Sequence, residues 1–197
     1  MRTLIALLAL GSATILAQPT FAQDAKIEEV GKSPVEAEFA PGGRVHLHLC
    51  PSGSELIGRD EPMLRVSFRP EREYVKVRIQ VSGDRAEIEL TDCPHGNFQT
   101  KIEVPKSSAL YVRMMAGQLD VRGITGDKDI ELTFGQLNLD VGKPDDYGHV
   151  DASVSSGAVD AAPFDVHKGG LFRSFDHDGP GKFRLHAHVG AGQLDLR

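Results

Sequence analysis

Two cysteines and three nearby histidines are the residues of this chain with the clearest capacity for chemistry. His46, His48 and Cys50 follow one another at two-residue spacing, and Cys93 is followed two residues later by His95. Imidazoles and thiolates together could bind zinc. The spacing matches no standard zinc finger or ribbon, and an oxidising compartment would favour a disulfide between the thiols. We therefore expect a Cys50–Cys93 disulfide, with two buried thiols or a zinc site as the alternatives.

A second candidate is a set of acidic and amide residues that recur after a glycine. Four copies of a short phrase (Gly, a small or polar residue, an aliphatic residue, Asp or Asn) end at Asp120, Asn138, Asp160 and Asp195. If the copies stack, these side chains form a column with neighbours about 4.8 Å apart. Such a column could bind a cation or a basic ligand. We favour the simpler interpretation of a solvated outer face, whose repulsion is relieved by neighbouring Lys and Arg.

The remaining motifs carry little chemistry. His186 and His188 form a second His-x-His pair, which can bind a transition metal weakly but is more often plain polar surface. The sequence has no Gly-x-Ser-x-Gly elbow, no His-Glu-x-x-His and no glycine-rich phosphate loop. We therefore predict that the protein is not an enzyme and uses no cofactor.

The glycines that open the four phrases predict the architecture. They are Gly117, Gly135, Gly157 and Gly192, and a period near twenty residues is typical of a solenoid. In every copy the residues five and three positions before the glycine, and two and four positions after it, are apolar. Because side chains alternate along a strand, this change of parity requires a corner, which glycine accommodates. Each unit should therefore be two short strands that meet at a glycine corner and face one core.

The rest of the chain predicts further strands. Alternating runs at 35–39 and 44–49, and again at 75–81 and 86–90, flank glycine-containing turns and predict two hairpins. Since no stretch has a sustained helical period, we expect an essentially all-β fold.

The repeat pattern lapses between Ala161 and Ala187. The gap leaves room for one degenerate coil, with Leu171, Phe172 and Phe175 as its expected core. The last unit runs to Arg197 without a polar cap of its own, so its edge must be covered by something or it offers a site for association.

The start of the chain resembles a secretory signal peptide, with a basic Arg2, an apolar run from Leu4 to Leu16 and a small-residue cleavage site at Ala22. We expect a signal peptide at 1–22, a flexible arm at 23–34 and the folded domain at 35–197. After cleavage no segment is apolar and long enough to span a membrane. The net charge of −6 argues against nucleic acid as a partner.

The repeats also resemble a known family. The order of 41–48 leading into 58–60, and of 102–106 leading into 116–121, is similar to bacterial putative-adhesin domains of the toast-rack-like β-solenoid group. The resemblance spans about 35–197. It implies a β-solenoid resembling a single-stranded β-helix, with a more hairpin-like N-terminal part, in an exported protein without established catalytic residues.

Together these observations predict an exported, non-enzymatic envelope or cell-surface protein, periplasmic or extracellular, that binds an envelope protein or a glycan. One alternative is an accessory of envelope-stress signalling. Another is a carbohydrate-active β-helix enzyme, which would need a groove with clustered carboxylates or a basic residue that polarises a uronate. Loss of hydrolase or lyase activity on substitution of Asp120 or Asp160 would favour it.

Overall fold

The computed structural model describes residues 24–197, and the expected signal peptide lies outside the described residues. The described part is all-β, as expected, and contains one 13-stranded sheet and two short 3-10 helices, Pro144–Asp146 and Ala162–Phe164. The strands are β1 (Ala25–Val30), β2 (Val35–Glu38), β3 (Arg44–Leu49), β4 (Ser52–Arg59), β5 (Met63–Arg69), β6 (Lys76–Ser82), β7 (Arg85–Thr91), β8 (Gln99–Pro105), β9 (Ala109–Arg122), β10 (Lys128–Leu139), β11 (Tyr147–Ala161), β12 (Val166–Asp178) and β13 (Phe183–Leu196).

The sheet is divided by a corner into two halves that enclose one core. The first half-sheet has the order β1-β6-β7-β3, followed by the N-terminal parts of β9, β10, β13 and β11. The second half-sheet has the order β2-β5-β8-β4, followed by the C-terminal parts of the same long strands. The antiparallel strand β12 closes both halves at one end.

The corner glycines lie side by side in adjacent strands. Gly117 is in register with Gly135, Gly135 with Gly192, and Gly192 with Gly157. Their φ angles lie between +127° and +146°, in a region that side chains disfavour. A Cβ on Gly192 would lie only 1.7 Å from the carbonyl oxygen of Gly135. The corner therefore requires glycine for both its backbone conformation and the closeness of its neighbours.

The buried positions change parity at this corner. In β9 the buried residues before the corner are Leu110, Val112 and Met114, and those after it are Leu119 and Val121. Both halves of the strand thus contribute to the same core.

The order of the C-terminal strands differs from their order in the chain. Strand β13, the last one, lies between β10 and β11 and is parallel to both. The edge of the final unit is therefore covered by its neighbours, and β12 forms this end of the sheet. A parallel strand of matching pattern fits between any two others, so the repeat alone does not determine this order.

Strand β12 is the segment in which the repeat pattern lapses, and it caps the core. Phe175 is buried as expected, but Leu171 and Phe172 are 64% and 83% exposed, so their assignment to the core was wrong. Two charged residues take core-facing register positions instead, because Lys168 lies opposite Val159 and Arg173 opposite Val154. Their side chains donate to the carbonyls of Ser174 and Gly169, 2.8 and 2.9 Å away. Both side chains remain exposed, and charged residues on an edge strand protect it from further pairing.

Two N-terminal expectations are corrected and one is met. Strands β6 and β7 form the expected hairpin, but β2 pairs with β5, while β3 lies parallel to β7 and β9. Strands β2 and β3 therefore lie in different half-sheets instead of pairing. The expected flexible arm contains β1, which pairs with β6 and turns Ala25 and Ile27 towards the core.

Candidate functional site

The disulfide between Cys50 and Cys93 is present, with the two Cα atoms 6.2 Å apart. Since both sulfurs are bonded to each other, the zinc site with thiolate ligands is ruled out. His46 and His48 lie on the outer face of the first half-sheet, where the His46 ring stacks on Tyr111 with the ring centroids 4.5 Å apart. Burial and the nearby positive charge of Arg85 lower the pKa of His46. His95 lies in the loop between β7 and β8.

A polar groove of about 610 Å³ crosses the outer face of the second half-sheet. It is formed by parts of β5, β8, β4 and β9, which are adjacent in space but distant in the sequence. Gly53 lies between Gln99 and Gln118 in one cross-strand row, and the next row contains Glu55 beside Asp120. Because Gly53 has no side chain, the surface is recessed at this point.

The charges that line the groove are balanced. Three cations and three carboxylates contribute: Arg65, Arg69, Lys101, Glu55, Glu103 and Asp120. Glu103 contacts the guanidinium of Arg59 at 2.7 Å and the amine of Lys101 at 3.1 Å. Burial alone would raise the pKa of Glu103, but the hydrogen bonds from these two cations lower it below its usual value. Glu103 is therefore held ionised and paired.

The predicted acidic column extends from this groove along the same face. Its members occur in the spatial order Asp120, Asn138, Asp195 and Asp160, as parallel register dictates. In three copies of the phrase, the glutamine after the glycine donates to the acid or amide two residues later. These pairs are Gln118 to Asp120 (2.8 Å), Gln136 to Asn138 (3.0 Å) and Gln193 to Asp195 (2.9 Å).

Asn138 separates two carboxylates and satisfies one of them directly. Its amide nitrogen donates to Asp120 at 2.7 Å, and its oxygen accepts from Gln136 and Arg197, each at 3.0 Å. Gln136 also donates to Asp195 at 3.2 Å. The column thus obtains its hydrogen bonds mainly from amides, with one arginine. Asn138 and Asp195 are only 6% and 8% exposed, so the middle of the column is not the solvated face that was expected.

Asp120 and Asp160, the two carboxylates named for a carbohydrate-active enzyme, are not close to each other, although Glu55 lies beside Asp120. Asp120 and Asp160 are separated by three strand spacings, or about 14 Å. The two carboxylates of a glycosidase are about 5 to 9.5 Å apart. Asp160 instead contacts His167 of β12 at 3.0 Å.

A buried amine is a feature that sequence reasoning missed. Lys128 is in register with Leu110 and Leu185 and is 2% exposed, so it takes a core position within a row of leucines. Its amine donates to the carbonyl of Gly126 at 3.3 Å and to the hydroxyl of Tyr147. Burial lowers the pKa of Lys128 to about 8. A sequence signal exists, since position 128 is the polar exception in an otherwise apolar row.

Comparisons with known proteins give limited information on identity. No family model matches the chain, and no curated protein matches it. A crystal structure of a putative cell adhesion protein from Clostridium sporogenes is similar, with a TM-score of 0.53 and 11% sequence identity over 88% of this chain and 99% of that chain. At this identity the likeness shows a shared fold of the adhesin-like kind and nothing more. Within residues 24–197, no helix has the length and apolar character needed to cross a bilayer.

Proposed function

We propose that this protein is an exported, non-catalytic envelope or cell-surface module that binds a glycan in the groove of the second half-sheet. The observation that carries the proposal is the lining of the groove. It offers amide, guanidinium, ammonium and carboxylate groups on adjacent strands, around the recess at Gly53. Such a set of donors and acceptors matches the hydroxyl groups of a sugar chain.

The composition of the lining favours a glycan over a protein partner. Protein interfaces are built around apolar and aromatic anchors. Among the residues that line the groove, the apolar ones are Pro34 and Phe68, and Phe68 is 2% exposed. The balance of positive and negative charges favours a neutral sugar chain over a polyanion.

The carboxylates of the groove support binding rather than catalysis. Glu55 and Asp120 are neighbours in register, but Glu55 pairs with Arg122 and Asp120 accepts from Gln118 and Asn138. Both carboxylates are thus engaged as acceptors by neighbouring side chains, whereas a general acid must present a proton to its substrate.

Two further observations support the proposed location and role. The Cys50–Cys93 disulfide is typical of proteins in oxidising compartments such as the periplasm or the exterior. The similar solved structure is named as a cell adhesion protein, which supports a surface role by fold analogy alone.

A substitution at the floor of the groove tests the proposal. A Cβ on Gly53 has 3.8 Å to its nearest neighbour and no unfavourable φ, so Gly53→Gln should fold normally while it fills the recess. We expect a glycan array to retain the wild-type protein and the Gly53→Gln signal to fall at least tenfold. Ser82→Gln, an enlargement at an exposed position of β6, is the matched control and should bind like wild type.

Three outcomes would contradict the proposal. Absence of any retained glycan on the array would remove its basis. Equal retention of the wild type and Gly53→Gln would place binding outside the groove. Release of shortened or unsaturated sugar products from a bound glycan would overturn the non-catalytic role.

A further inference from the structure

The first half-sheet carries a cluster of imidazoles and carboxylates on its outer face, remote from the groove. Strand β13 places His186 between Asp129 of β10 and Asp151 of β11. In the next row, His188 lies between Glu131 of β10 and Ser153 of β11. Because these strands are parallel and in register, neighbouring side chains of each row are about 4.8 Å apart.

Both imidazoles are oriented by hydrogen bonds to β11. The Nδ1 atom of His186 lies 2.9 Å from a carboxylate oxygen of Asp151, and the Nδ1 atom of His188 lies 2.9 Å from the hydroxyl of Ser153. A carboxylate only accepts, so Nδ1 of His186 carries the proton in the neutral ring and Nε2 keeps a lone pair. A carboxylate bonded to the second ring nitrogen is the usual support of a metal-binding histidine.

Carboxylate oxygens of β10 lie close to the imidazole of His186. Ligand atoms of Asp129, Glu131 and His186 all lie within 4.8 Å of one another. A cavity of about 310 Å³, lined by Asp129, Asp151, His149 and His186 among others, gives access from solvent. One imidazole with two carboxylates is a ligand set that suits late transition metals better than calcium.

Arg113 of β9 already contacts both carboxylates. Its guanidinium lies 2.8 Å from a carboxylate oxygen of Asp129 and 3.3 Å from one of Glu131. It holds the two carboxylates together without a metal ion, and an entering cation must displace it. The resident guanidinium should therefore weaken metal binding rather than assist it.

We propose that Asp129, Glu131 and His186 bind a divalent transition-metal ion such as Zn²⁺, with Asp151 orienting His186 and Arg113 competing with the metal. The three side chains supply three ligands, and water completes the coordination. This site is independent of the proposed glycan groove, because it lies on the other half-sheet.

Calorimetric titration with Zn²⁺ of the purified, disulfide-bonded protein tests this site. His186→Gln should weaken binding at least tenfold, and Arg113→Gln should strengthen it about tenfold. Asp151→Asn should weaken it by about ten- to a hundredfold, since support of this kind has that effect on metal affinity. His95→Gln, in the loop between β7 and β8, is the matched histidine control and should bind Zn²⁺ like wild type.

Thermal melting of each variant, together with imidazole NMR signals, distinguishes loss of a ligand from loss of the fold. In the wild type, Zn²⁺ should shift the His186 signals and leave those of His95 in place. Absence of Zn²⁺ binding in both wild type and Arg113→Gln would overturn the proposal. Unchanged affinity in a folded His186→Gln protein, or weaker binding in Arg113→Gln, would overturn it as well.

Discussion

The two ends of the molecule make the same bend in different ways. In the C-terminal region, β9, β10, β13 and β11 cross the corner unbroken, each with a glycine at positive φ. In the N-terminal region, one strand ends before the corner and another begins after it. Strands β3 and β4 are separated by Cys50 and Pro51, and β7 and β8 by the loop 92–98. The two regions meet where Ser52 is in register with Gly117.

The disulfide lies where the stacked glycines are missing. Cys50 lies in the break between β3 and β4, and Cys93 lies in the loop between β7 and β8. The disulfide therefore links the two interrupted strand pairs to each other. Close backbone stacking thus secures the corner in the C-terminal region, and a covalent bond secures it in the N-terminal region. Each device can be removed separately, which makes the comparison testable.

Gly192→Ala should cause the largest loss of stability. Its Cβ would collide with the carbonyl oxygen of Gly135, 1.7 Å away, in the middle of the stack. We expect a loss of more than about 4 kcal/mol in the free energy of unfolding, or no soluble protein, as measured by urea denaturation. Gly83→Ala is the control, because Gly83 also has a positive φ but no described atom lies within 4 Å of its added Cβ. That variant should lose about 1 kcal/mol, and equal losses would contradict the role of stacking.

Removal of the disulfide should weaken the other region. The bond joins residues 43 apart in the sequence, and in the chain-entropy model a loop of that length contributes about 4 kcal/mol. In the Cys50→Ser, Cys93→Ser protein, amide hydrogen exchange should accelerate in β3, β4, β7 and β8 and remain slow in β10 and β13. Uniform acceleration across all strands would show that the two regions are not secured separately.

A further negative charge in the acidic column should reduce the free energy of unfolding by a smaller amount. Asn138→Asp removes the donor to Asp120 and puts four carboxylates in neighbouring positions. We expect a loss of about 2 kcal/mol from the lost hydrogen bond and the repulsion, measured by urea denaturation at neutral pH. The control is Gln80→Glu in β6, whose cross-strand neighbours Lys26 and Glu87 have opposite charges. That variant should be nearly neutral, and an equally small effect of Asn138→Asp would mean that the column tolerates like charges.

An effect of similar size, which depends on pH, concerns the buried amine. Burial lowers the pKa of Lys128 to about 8 from its usual 10.5, so between these pH values the unfolded chain binds more protons. Stability should therefore rise with pH across this range, by about 2 kcal/mol between pH 7 and pH 9.5. Lys128→Met should lack this rise relative to wild type in denaturation series at both pH values. A parallel rise in both proteins would assign it to other groups.

The elements of the structure were more predictable than their arrangement. The parity change at Gly117 and its counterparts is visible in the spacing of apolar residues, and so is the β6–β7 hairpin. The acidic column follows from the repeat, but its spatial order, with Asn138 next to Asp195, does not. The groove was not predictable, since Arg69, Gln99, Gly53 and Gln118 become neighbours only when four strands from distant parts of the chain align.

The sequence by itself determined the all-β class, the alternation of buried residues in the four repeats and the positions of their corner glycines. These are local properties, because alternation and φ preference act within a few residues. Only the tertiary structure decided that β13 lies between β10 and β11, that β12 caps the core and that β2 and β3 lie in different half-sheets instead of pairing. The physical reason is that strands with the same alternation offer equivalent backbone hydrogen bonds to many partners. The choice among those partners depends on how the whole core is filled and closed.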